Sequence, residues 1–79
     1  MTKSIYSPAY LKMREMLKAE REKAKLSQAL VADKLGVNQT YVSKYEKGER
    51  RLDLIEFLEI AEAVGFDPLD FIKRQQDSK

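Results

Sequence analysis

Residues 26–51 read LSQALVADKLGVNQTYVSKYEKGERR. Two short apolar-patterned segments flank a glycine, Gly36, and the second ends in a cluster of positive charge. Ser27 suits an N-cap, which predicts a helix running to Gly36 with Val31, Ala32 and Leu35 on one side. Gly36 can take a positive φ, which ends that helix and permits a sharp reversal. Asn38 then predicts the cap of a further helix, which continues to about Lys47 and stops at Gly48. About three residues link the two segments, so short a link that the helices must cross steeply.

The flanking sequence extends the same pattern. Ser7-Pro8 predicts a helix start, because Ser7 can cap and Pro8 loses nothing at the first helical position. Tyr10, Met13, Leu17 and Ala24 recur at helical spacings, which predicts a helix from about residue 8 to about residue 24. Met13 and Met16 are expected in or near the core. Asp53 and Glu56 form a capping-box pattern, followed by the apolar stripe Leu54, Phe57, Leu58, Ala61 and Val64, with Gly65 as the stop. Asp67-Pro68 opens a fifth helix to about Gln75. The ordered part is expected over about residues 8–75, with fraying before Ser7 and after about Gln76. No segment alternates with the period of a strand, so the fold class is all-α, with five helices.

At 79 residues the chain predicts a single domain spanning 1–79. It has no cysteine and no histidine, which removes disulfides, thiolate metal sites and the commonest general base. No metal and no cofactor are expected. No apolar run approaches the roughly 20 residues of a membrane span, and MTKSIYSPAY lacks a signal-peptide apolar block. These features predict a soluble, cytoplasmic protein with no membrane partner. Net charge is +2 but unevenly spread: residues 1–51 carry +6 and residues 52–79 carry −4. A basic part of this kind suits a polyanion, although charge runs are more often solvated helix faces.

The third helix has two unlike sides. With Gln39 at zero and about 100° per residue, Ser43 falls at about 40°, Lys47 at about 80°, Thr40 at about 100° and Lys44 at about 140°. Tyr41, Tyr45 and Val42 fall at about 200°, 240° and 300°. The aromatic and valine side is expected on the core, and the polar side is left outward. A glutamine amide can pair bidentately with adenine N6 and N7, lysine can reach guanine or a phosphate, and Thr and Ser can bond several partners. A polar helix face alone says little. On the second helix of a tight helix-turn-helix it lies where a helix enters the major groove.

The ungapped set Leu26, Ser27, Gln28, Ala32, Gly36, Val42, Glu46 and Gly48 resembles the helix-turn-helix of the phage-repressor family (Xre/Cro type). The likeness covers about residues 13–72. It implies a compact all-α, five-helix, lambda-repressor-like DNA-binding domain. It also implies a sequence-specific transcriptional regulator, most simply a repressor acting as a homodimer on a (pseudo)palindromic operator. By the resemblance, Gln39, Thr40, Ser43 and Lys44 face bases of double-stranded DNA. Gln28, Asn38, Tyr41, Lys47, Arg50 and Arg51 contact its backbone. Arg21 and Glu46 match a structural ion pair.

Each assignment has a plainer alternative. Gln28 and Gln39 can be ordinary exposed residues, and either Lys44 or Lys47 can be the one that meets a base. Tyr41 and Tyr45 suit packing, with the Tyr41 hydroxyl within reach of a phosphate. Arg50 and Arg51 can simply offset the acidic start of the fourth helix. Leu30 stands where the family often has a polar residue and lies away from the Val31 and Leu35 side, which leaves exposure, packing on the first helix and packing on a partner as alternatives. Phe66, Leu69, Phe71 and Ile72 exceed what a short terminal helix hides alone, so part closes the core and the rest is a candidate dimer surface. The rival function is a protein-interaction module, such as an antitoxin of a toxin–antitoxin pair, with DNA binding secondary. An enzyme is not expected, since no carboxylate pair, phosphate-cradling loop or metal spacing stands out.

Overall fold

Ser7 and Pro8 start the first of five α-helices, as their chemistry dictates. The computed structural model describes residues 7–77. Helix α1 spans Pro8–Lys23, α2 Gln28–Leu35, α3 Gln39–Lys47, α4 Leu54–Val64 and α5 Pro68–Asp77. No strand occurs among the described residues. The fraying expected before Ser7 and at residues 78–79 falls outside the described residues, whereas Asp77, also expected to fray, is the last residue of α5.

The caps account for most of these boundaries. Ser7 Oγ accepts from the Tyr10 N–H at 3.2 Å, and Ser27 Oγ accepts from the Leu30 N–H at 3.0 Å. Asp53 accepts from the Glu56 N–H at 2.8 Å, and Glu56 Oε1 accepts from the Asp53 N–H at 3.0 Å, a complete capping box. Asp67 accepts from the Leu69 N–H at 2.9 Å and so ties the start of α5. Asn38 occupies the N-cap position of α3, but its side chain makes no capping bond. The expected amide cap is therefore absent, and its polar atoms stay on the outer surface.

Gly36 takes φ 74° at the end of α2, and residues 36–38 alone join α2 to α3. Gly48 at φ 83° ends α3 and is doubly constrained. A Cβ there would lie 2.8 Å from the Arg14 guanidinium, which donates to the Glu46 carbonyl at 3.2 Å. Helix α1 closes with the same bond pattern as α2 and α3, but with a lysine in place of glycine at the left-handed position. Leu26 N–H bonds Arg21 O and Lys25 N–H bonds Glu22 O, a Schellman closure with Lys25 at φ 62°.

The core cluster joins all five helices through Leu17, Val31, Ala32, Val42, Tyr45, Phe57, Ile60, Val64 and Phe71. Met13 and Met16 pack against it, as expected. Phe57, Phe66 and Phe71 form a ring cluster with centroids 5.0–6.0 Å apart. Each fully buried apolar side chain of this size contributes about 1.5–3 kcal/mol relative to exposure.

Three expectations about faces are corrected. Helix α4 buries Phe57, Ile60, Ala61 and Val64. Ile60, missing from the expected stripe, is buried, whereas Leu54 and Leu58 are exposed. The inner direction of α4 bisects Phe57 and Ile60, so Leu58 lies about 130° off it and turns toward the outer side. Ala24 is the exposed C-cap of α1, and the last buried residue of that helix is Glu20. Phe71 is 1% exposed and Phe66 half-buried against the core, so neither belongs to a free dimer surface; Leu69 and Ile72 remain exposed. Phe71 packs on the Phe57 and Phe66 rings, while Leu69, about 200° away around α5, turns to the opposite side.

Side-chain bonds bind α5 to α1. Lys12 donates to the Arg74 and Gln75 carbonyls at 2.8 and 2.9 Å, which satisfies orphan acceptors near the C-terminus of α5. Arg74 bonds the buried Glu20 at 2.7 Å and Asp70 at 3.0 Å.

Candidate nucleic-acid interface

Helix α3 is anchored by its apolar side. Val42 is fully buried, Tyr45 is 2% exposed, and Tyr41 meets the Tyr45 ring edge-on at 5.8 Å. Burial pushes the Tyr45 hydroxyl pKa upward, with the nearby Glu46 charge adding to it. The opposite side is open: Gln39, Thr40, Lys44 and Lys47 are exposed, and Ser43 is partly so. The amphipathic division expected of this helix is therefore realised.

A polar network runs from Glu46 in the last turn of α3 to Gln39 in its first. Arg21 Nε donates to Glu46 Oε2 at 2.8 Å, and Arg21 Nη2 donates to Glu46 Oε1 at 3.0 Å. The fork-to-fork pair is well withdrawn from water, with side chains 12% and 4% exposed. Glu46 raises the Arg21 pKa further above its already high value. A third Arg21 nitrogen bonds the Leu26 carbonyl at 3.0 Å and so braces the entry to α2. Gln28 Nε2 donates to Glu46 Oε1 at 2.9 Å, and Gln39 Nε2 donates to Gln28 Oε1 at 3.4 Å, a long bond.

Thus Arg21 and Glu46 stand together as expected, but Gln28 and Gln39 are tied to that pair as well. The sequence showed the four residues and not this chain of bonds. Only the steep α2–α3 crossing brings the two amides together.

The loop after α3 also differs from a simple basic rim. Arg50 pairs with Glu56, and its guanidinium lies 4.4 Å from the centre of the Tyr41 ring. Its bond to Tyr41, and then Glu56, raise its pKa. Glu56 therefore caps α4 and also holds Arg50 beside α3. Tyr10 Oη accepts from the Leu52 N–H at 3.0 Å and ties the end of this loop to α1. Lys47, Arg51 and Asn38 are exposed at the two ends of α3. Leu30 is 49% exposed on α2, so it does not pack into the core.

The chain resembles known proteins over most of its length. A helix-turn-helix family model matches residues 17–71, from the middle of α1 into α5. The chain belongs to the Xre-type helix-turn-helix family. An XRE-family like protein from Pseudomonas syringae pv. tomato str. DC3000 shares 35% identity and superposes with a TM-score of 0.86, over 91% of this chain and 88% of that one. The restriction-modification controller protein C.AhdI from Aeromonas hydrophila shares 30% identity with a TM-score of 0.71, over 77% and 88% of the two chains. The controller protein C.Esp1396I has a like fold, with a TM-score of 0.80 at 21% identity, over 89% of this chain and 92% of that one. No curated protein matches the sequence.

Membership assigns the activity. This Xre-type protein is a sequence-specific DNA-binding transcriptional regulator. Among the described residues no cluster of acidic side chains is arranged to hold a metal ion, and no helix is long and apolar enough to cross a membrane.

Proposed function

We propose that the protein is a cytoplasmic repressor that binds a (pseudo)palindromic operator as a homodimer. The observation that carries this reading is the outward polar side of α3, set on a helix whose other side is locked into the core. In this reading Gln39, Thr40, Ser43 and Lys44 meet base edges in the major groove. Gln28, Asn38, Lys47 and Arg51 meet phosphates at the two ends of that helix. Tyr41 and Arg50 present a stacked hydroxyl and guanidinium to the same strand, with Glu56 limiting how far Arg50 moves. Basic groups replace counterions along the backbone, while the polar side of α3 selects sequence. Repression follows from occupying a promoter.

A second copy of this chain is the proposed occupant of the apolar surface on α4 and α5. Leu54, Ile55 and Leu69 are more than 60% exposed, and Leu58 and Ile72 are exposed as well. Of these, Leu54 and Ile72 line one groove of about 370 Å³ between α1, α4 and α5. Exposed apolar groups gathered in this way mark an interface, and a two-fold contact would set two α3 helices about one DNA turn apart. The restriction-modification controllers of like fold support a regulatory role for the binding. The rival occupant is an unlike protein, as in an antitoxin.

Selection of bound duplexes from random DNA, with the purified chain alone at physiological salt, separates these readings. The dimeric regulator returns an inverted repeat with half-site centres about 10 bp apart. Recovery of single half-sites would remove the dimer, and recovery of no motif would favour the protein-partner role.

A further inference from the structure

We propose that Glu46 is a positioning residue for base recognition: through Gln28 it fixes which way the Gln39 amide points and so sets adenine over guanine. The proposal rests on the reading of Gln39 as a base contact and deepens it.

An ionised carboxylate only accepts hydrogen bonds. The Glu46 carboxylate lies in the two-bond fork of Arg21 and is almost wholly withdrawn from water. Gln28 must therefore turn its NH₂ toward Glu46, as it does at 2.9 Å, and its oxygen away. That oxygen accepts from Gln39 Nε2. One Gln39 N–H is thus directed inward, leaving one N–H and the amide oxygen for a ligand. This donor-and-acceptor pair matches adenine, which offers N7 as acceptor and N6–H₂ as donor. Guanine offers two acceptors, O6 and N7, and meets the Gln39 oxygen with its own.

Reversal of the Gln28 amide would invert the series. Its NH₂ would face Gln39, the Gln39 oxygen would turn inward, and the Gln39 NH₂ would project toward the duplex and suit guanine. Only the charge on Glu46 forbids this. A glutamine at position 46 both donates and accepts, so it permits either order. The second N–H of Gln28 stays available for a phosphate in the native order, and the two roles of Gln28 are compatible.

The test is the ratio of affinities for the selected operator and for the same operator with guanine replacing adenine at the base pair Gln39 reads. It is measured with the whole chain, below each variant's melting temperature. The wild type is expected to favour adenine by about tenfold or more. Gln39→Ala should abolish the ratio at that position alone. Glu46→Gln, and the double variant Arg21→Gln/Glu46→Gln that leaves no unpaired charge, should bring the ratio to within about threefold of unity, as near-degenerate amide orders require. Gln28→Ala, which keeps the ion pair, should do the same and carries the test if the Glu46 variants do not fold. A purely structural Glu46 would instead weaken both operators equally, and an unchanged ratio in the Glu46 or Gln28 variants overturns the proposal while Gln39 keeps its role. A wild type without an adenine preference that Gln39→Ala removes overturns the reading of Gln39 and this proposal with it.

Discussion

Lys25 sits at φ 62°, a conformation that costs an ordinary residue about 1–2 kcal/mol and glycine nothing. Lys25→Gly should raise stability by about 0.5–1 kcal/mol, after the greater entropy lost by glycine, as read by thermal or urea unfolding. No gain would mean that the lysine side chain offsets its own backbone strain. Tyr45 gives a pH dependence. Burial lifts its pKa above the value of about 10 that a tyrosine has in the unfolded chain. The folded state therefore holds the proton more tightly. Its contribution to stability is whole below about pH 10 and is lost as pH climbs beyond, toward the raised folded value. Unfolding curves from pH 8 to 11 should fall more steeply for the wild type than for Tyr45→Phe, and parallel curves would contradict the buried hydroxyl. Single positions were legible where local chemistry decides them. Ser7, Ser27 and Asp53 are caps because their side chains reach the first turn of their own helix. Gln28 was legible only in part, because its bonds to Glu46 and Gln39 depend on how two helices cross.

Helices were legible as elements because α1, α2, α4 and α5 carry a capping start and α2, α3 and α4 a glycine stop. Their inner faces were less so. The stripe on α4 allows more than one inner direction, and the approach of α2 and α5 chooses the one that includes Ile60 and leaves out Leu54 and Leu58. The bond from Arg74 to Glu20 joins residues far apart in sequence, so no periodicity announces it. The capping box of α4 supports a direct prediction. Asp53→Ala should lower stability by about 1 kcal/mol. Operator affinity measured well below the melting temperature should stay unchanged, because Glu56 can still hold Arg50 against Tyr41. A large loss of affinity would place Asp53 in the interface, contrary to its position at the start of α4.

The whole molecule divides its labour along the chain: the basic first part carries α2 and α3, and the acidic second part carries the apolar surface on α4 and α5. That surface predicts how association and folding separate. Leu69→Glu should weaken self-association in sedimentation and reduce binding to two half-sites, while leaving the monomer's stability within about 0.5 kcal/mol. Phe71→Ala should instead cost about 3–5 kcal/mol of folding stability, because it empties the core. If Leu69→Glu leaves association intact, the dimer contact lies elsewhere. The DNA face is tested at its atoms by changing one groove of the operator at a time. An operator carrying 7-deazaadenine at the Gln39 position lacks the major-groove acceptor, and one carrying 3-deazaadenine there lacks the minor-groove acceptor. The account predicts a loss of about 1 kcal/mol for the first and little change for the second; a loss confined to the 3-deaza operator would contradict the entry of α3 into the major groove.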